Sequence, residues 1–168
     1  MADKIETTIK TPHCLIDIRT SSEHFIFQFK EFHNLSDYEI KMGGVTGEFG
    51  VYYMCKGINS EFNCDITVGN VYNFYVSLKT AYYISLGKNA VAILKNYGDI
   101  LNRSNLKISF DNKGHCLFEG DFKNHYNHFK SGINFAFEVD QTYIPEILNS
   151  FKVFFNELKR LQGNDTFY

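Results

Sequence analysis

Along the first third of the chain, hydrophobic and polar residues alternate with period two. In Cys14-Leu15-Ile16-Asp17-Ile18, residues 14, 16 and 18 share a face. In Phe25-Ile26-Phe27-Gln28-Phe29-Lys30 the three phenylalanines share one, while Gln28 and Lys30 point the other way. Successive strand side chains point to opposite faces, so both runs read as strands. The turn-forming segment Thr20-Ser21-Ser22-Glu23 joins them as a hairpin. Similar runs at 38–42, 49–55 and 62–66, separated by Gly43-Gly44 and by Gly57-Ile58-Asn59-Ser60, extend the pattern into an antiparallel sheet.

The period changes at Val71. Val71, Phe74, Tyr75, Leu78, Ala81 and Tyr82 form the stripe of an amphipathic helix over about 69–85, with Thr67 as N-cap and Gly87 as its stop. Strands resume at 90–94, 106–110, 115–123 and 132–139. Asp111-Asn112-Lys113-Gly114 predicts a hairpin, because the residue ending such a turn adopts a left-handed conformation that glycine accepts. A second amphipathic helix covers about 143–161. Thr142 is preferred to Asp140 as its N-cap, since that places Pro145 in the first turn, where a missing N–H costs little. Lys159 and Arg160 suit the negative end of its dipole.

Connections this short do not allow helical crossovers. The expected class is therefore α+β: a mainly antiparallel, curved sheet or sandwich of many short strands packed by two helices. One domain spans 1–168, with 1–12 flexible and 163–168 a tail, and no internal repeat is visible in the residues.

Composition refines this picture. With 17 Phe, 11 Tyr and no Trp, the chain has material for a ring-filled core, and surplus tyrosine suits an interface. The net charge of -2 and a pI near 6.3 exclude the basic footprint of direct nucleic-acid binding. Cys14, Cys55, Cys64 and Cys116 are widely spaced within apolar or alternating runs and read as small buried hydrophobes. There is neither a signal-peptide h-region nor an apolar run near the ~20 residues that span a bilayer, so a cytoplasmic, membrane-free protein is expected.

The chemistry-bearing residues do not converge. His125 and His128 fall in a polar loop, and His115 and Cys116 are strand neighbours that face apart, so no metal site is expected. Serine lacks a G-x-S-x-G elbow, and Gly43-Gly44-Val45-Thr46-Gly47 lacks the lysine and helix of a phosphate cradle. The carboxylate pairs Glu119/Asp121 and Glu138/Asp140 read as solvated strand faces. Asp140, Gln141, Thr142 and Tyr143 read as a joint tying a strand end to the helix start. No catalytic residue and no cofactor are expected.

Several segments, in order, resemble the WapI family of immunity proteins: Phe74-Tyr75-Val76-Ser77-Leu78, Gly87-Lys88-Asn89-Ala90-Val91, Gly114-His115-Cys116-Leu117-Phe118-Glu119-Gly120, and the Phe-rich run 135–143 ending in Asp140-Gln141-Thr142-Tyr143. The likeness covers most of the chain and is weakest over 1–61. It implies a cytoplasmic protein that binds and neutralises a co-inherited polymorphic toxin, often a nuclease, and it carries over no contact residues. On residue chemistry, Asp37, Tyr38, Glu39, Glu48, Tyr52 and Tyr53 are the expected partner-facing group, acids among tyrosines suited to a basic toxin domain. The alternative is a small-molecule-binding or hydrolytic domain with a pocket between sheet and helices. Oligomeric state stays open between monomer and dimer, since exposed strand edges allow pairing.

Overall fold

The structure, a computed structural model, describes residues 12–33, 45–84, 90–95, 103–126 and 129–162, with side chains described for these except 124–131 and 160–162. Four strands come first, each antiparallel to the next: β1 (His13–Arg19), β2 (Glu23–Phe32), β3 (Thr46–Cys55) and β4 (Ile58–Thr67). Helix α1 (Val68–Tyr83) follows. The order then repeats with β5 (Val91–Lys95), β6 (Arg103–Phe110), β7 (His115–Tyr126) and β8 (Phe129–Asp140), a 3-10 turn (Gln141–Tyr143) and helix α2 (Ile144–Gln162). The class is α+β, as the hydrophobic periodicity predicts. The repetition is one of topology: two four-stranded meanders, each followed by a helix.

Local chemistry explains the turns. Lys56 and Gly57 both have positive φ, 50° and 81°, which closes β3 onto β4 in a two-residue turn whose twist matches the strands. Ile58 is therefore already in β4, where alternation alone suggests a longer break. Between β6 and β7, Gly114 takes φ 91° and Asp111 Oδ1 accepts from the N–H groups of Lys113 and His115, both at 2.8 Å. Thr67 caps α1, accepting from Asn70 N–H at 3.4 Å.

The cap of the terminal helix differs from expectation. Asp140, not Thr142, is the N-cap, and its Oδ1 accepts from Thr142 N–H at 2.8 Å. The chain enters through a 3-10 turn in which Ile144 N–H bonds the Gln141 carbonyl. That is the acceptor an N–H at position 145 would use, so Pro145 removes no needed donor. Expected features at 38–42, Gly87 and His128 lie outside the described residues. His125 falls within β7.

The helices are exchanged between the halves. Helix α1 packs mainly on β5, the edge of the second sheet, and α2 packs on β1, the edge of the first. His13 on β1 illustrates this: its ring lies 5.3 Å from that of Phe154, and its Nε2 lies 3.3 Å from the Ser150 carbonyl oxygen. The inward faces of the sheets also meet each other, with Phe25 4.9 Å from Phe135 and 5.9 Å from Phe137. Phe25, Phe27, Phe29, Phe49, Phe118 and Phe122 are fully buried in this interior.

The cysteines divide. Cys64 and Cys116 are buried as expected, but Cys55 is half-buried and Cys14 is exposed, because a register shift between Cys14 and Ile16 turns residue 14 out of the alternation. All four are free thiols. No described helix is long and apolar enough to cross a membrane.

Candidate functional site

The outward face of the first sheet is built by strand register. Asp17, Ile26, Tyr52 and Glu61 stand directly opposite one another across β1 to β4, with Arg19, His24, Met54 and Asn59 in the row beside them. Toward the other end come Gln28, Gly50 and Asn63, then Glu31, Glu48 and Asp65. A second register shift, between Phe29 and Glu31, presents Lys30 and Glu31 consecutively on this face. Their inward neighbours are the buried phenylalanines, so the alternation seen in the sequence separates core from surface.

Polar contacts organise the face. His24 is buried under its neighbours, its Nε2 2.9 Å from Asp17 Oδ1 and its ring edge-on to Tyr52 at 5.5 Å. Lys30 lies across Gly50, donates to Asn63 Oδ1 at 2.7 Å and reaches Glu61 at 3.4 Å. His33 Nε2 lies 2.7 Å from Asp65 Oδ1. Glu31 and Glu48 have no ion-pair partner among the described residues, and both stand in one row with Asp65. The result is an open sheet surface with two groups of carboxylates: Asp17 and Glu61 in the row of Tyr52, and Glu31, Glu48 and Asp65 in a row toward the other end of the strands.

Of the residues expected to face a partner, Glu48 and Tyr52 are on this surface. Tyr53 is on the opposite face, half-buried and stacked on Phe135 at 4.7 Å. Burial there pushes its phenol up to about 12. Asp37, Tyr38 and Glu39 lie outside the described residues. Sequence reasoning missed Asp17, Glu31, Glu61 and Asp65. Their signal was the outward position in successive alternating strands, which needs the register before it assembles into one face.

One potential ligand set appears within this surface. A nitrogen of His33 and oxygens of Glu48 and Asp65 all lie within 4.8 Å of one another. The sequence separates these residues widely, and three strand positions bring them together. The side chains are solvent-facing, and the contact with Asp65 already occupies the Nε2 of His33.

The other sequence candidates have structural roles. His115 and Cys116 face apart: the imidazole lies 3.4 Å from Asp111 and 3.6 Å from Glu138, while the thiol is in the core. Burial pushes the thiols of Cys64 and Cys116 up to about 12, so neither is a thiolate near neutral pH. Glu119 pairs with Lys107 at 2.7 Å, and Asp121 sits between Arg103 at 3.3 Å and Lys123 at 3.1 Å. At the joint, the Gln141 side chain donates to the carbonyls of Asp111 and His115, its backbone N–H donates to Gly114, and Tyr143 Oη donates to the Arg19 carbonyl at 2.9 Å. These bonds tie the β6–β7 hairpin and the end of β1 to the start of the terminal helix.

No family model matches the chain, and no curated protein matches it. Among solved structures it is similar to WHY1 from Arabidopsis thaliana, with a TM-score of 0.48 and 12% identity over 84% of this chain and 88% of that one. It is also similar to the plant transcriptional regulator PBF-2, with a TM-score of 0.48 and 11% identity over 95% of this chain and 92% of that one.

Proposed function

We propose that this chain is a non-catalytic binding module of the immunity type, which neutralises a cognate toxin domain by covering it with the outward face of the first sheet. The observation that carries the reading is that face itself: an open surface bearing carboxylates in the row of Tyr52 and in a second row beyond it, where Glu31 and Glu48 have no ion-pair partner among the described residues. A toxin that cleaves nucleic acid needs a basic cleft to hold phosphates. An acidic sheet surface is complementary to such a cleft, speeds encounter and blocks it without chemistry. On the same face, half-buried Tyr52 supplies an anchor of large area and low entropy cost. Such an inhibitor acts in the cytoplasm of the cell that makes the toxin.

The alternative, a ligand-binding or hydrolytic pocket between sheets and helices, has less support, because fully buried phenylalanines fill the interior there. The test is to search the neighbouring genes for a large secreted protein with a variable C-terminal domain and to co-express that domain, or failing one a toxin pulled down from the same strain, with this chain. The unaltered chain is expected to restore growth and to co-purify with the toxin domain. Glu31→Lys with Glu48→Lys, and separately Tyr52→Ala, are expected to weaken the complex by about tenfold or more. Full neutralisation by the charge-reversed chain would remove this face from the function.

A further inference from the structure

A groove of about 480 Å³ runs between the two helices, on a different part of the molecule from the acidic sheet surface. Its floor is made of rings. Tyr75 stacks on Phe151 at 5.8 Å and on Phe155 at 5.7 Å, and Tyr72 meets Phe155 edge-on at 5.0 Å. Along α1 the apolar surface continues past these rings: Val76 is 42% exposed, Tyr83 64% and Ile84 75%. Helices of a folded domain normally turn such residues inward, and several of them exposed beside one groove mark a contact surface. Lys79 on α1 and Lys152 on α2 are exposed at the rim, with Lys159 alongside, and none of the described lining residues is acidic. In a chain of net charge -2, exposed Lys79 and Lys152 on a groove whose described lining holds no carboxylate are a local reversal of sign.

We infer that this groove docks an amphipathic helix of a partner protein whose polar face is acidic. Groove residues recur at helical spacing, at 72, 75, 76, 79, 80 and 83 on α1 with its C-cap Ile84, and at 152, 155, 156 and 159 on α2, so each helix supplies one wall. From position 72 to position 84 the α1 wall is about 18 Å long, about three turns of an incoming helix. An apolar stripe with anchors at i, i+3, i+4 and i+7 would lie on the ring floor, and carboxylates flanking that stripe would meet the lysines at the rim. A nucleic-acid strand fits less well. Its contacts are phosphates and stacked bases, the lysines would neutralise about three phosphates at most, and the exposed Val76 and Ile84 would meet ribose and charge. This docking is separate from the proposed toxin contact, which uses the opposite charge on a different surface.

The test uses the full chain and a fluorescein-labelled synthetic helical peptide of leucine, alanine and glutamate, with leucines at i, i+3, i+4 and i+7. Anisotropy is expected to show saturable binding to the unaltered protein. Lys79→Glu with Lys152→Glu is expected to weaken it by about tenfold or more, and Ile84→Asp to weaken it comparably. All three positions are exposed, and an unchanged melting temperature checks that the fold is kept. Glu31→Lys with Glu48→Lys should leave peptide binding as it was. A control peptide with lysine in place of glutamate should bind at least tenfold more weakly. Equal binding of the two peptides, indifference to the lysine reversals, or tighter binding of a single-stranded oligothymidine that competes for the groove would each overturn the inference.

Discussion

Phenylalanine and tyrosine divide the work of this protein between interior and boundary. Most described phenylalanines are buried, whereas no described tyrosine is. The hydroxyl is the reason: in a water-free core it needs a dedicated partner, and at a boundary it reaches solvent or a backbone carbonyl, as Tyr143 does. Packing at this scale is tight where rings cross glycine. A Cβ at Gly120 would meet Phe135 Cζ at 2.2 Å, and Phe135 is held between Tyr53 and Phe25, so it has nowhere to move. At Gly50 the first obstacle is Lys30 Cε at 2.6 Å, the far end of a flexible chain. Gly120→Ala is therefore expected to lose about 1–3 kcal/mol through overpacking. Gly50→Ala should stay within about 0.5 kcal/mol of the unaltered chain. Denaturant midpoints of the two variants, measured side by side, check the contrast.

Turns and caps rest on a small number of aspartates. Backbone N–H groups, of His115 at Asp111 and of Thr142 at Asp140, hold both carboxyls below the usual aspartate range. A carboxyl whose folded pKa lies below its unfolded value stabilises the fold above the unfolded pKa of about 3.9, and that stabilisation is lost as pH falls through the folded value. The double variant Asp111→Ala, Asp140→Ala should accordingly be less stable than the unaltered chain at pH 7. The gap should narrow as pH falls below about 4 and close once both aspartates are protonated in the unaltered chain. Urea unfolding at a series of pH values measures it, and a gap independent of pH would show that the carboxylates are not the stabilising groups. The same joint gives the segment ending in Tyr143 its structural role: its hydrogen bonds secure the start of the terminal helix.

At the scale of the whole molecule, the exchange of helices makes the two halves interdependent. With α1 on β5 and α2 on β1, each sheet edge is covered by the helix of the other half, and the inward faces meet through Phe25. A fragment ending after α1 would leave both its first sheet and its helix without their main partners. It is expected to lack the circular dichroism and dispersed amide spectrum of a native fold. Mixing it with the fragment carrying the second half should restore both signals. Independent folding of the first fragment would contradict the swapped packing.

Periodicity by itself determined the element types, the α+β class, both helices to within two residues at the described ends, and the inward set Phe25, Phe27 and Phe29. Those properties are local: side-chain direction repeats every two or 3.6 residues whatever the rest of the chain does. Tertiary structure alone decided the pairing of strands into two sheets, the exchange of helices and the placing of Asp17, Glu31, Glu48, Glu61 and Asp65 on one sheet face with Tyr52. It also placed Tyr53 inward, beside an outward Tyr52, and made Asp140 the cap through a 3-10 entry. Each of these depends on contacts between residues far apart in the chain, and such contacts are fixed by register and by the burial of whole faces, which no local pattern encodes.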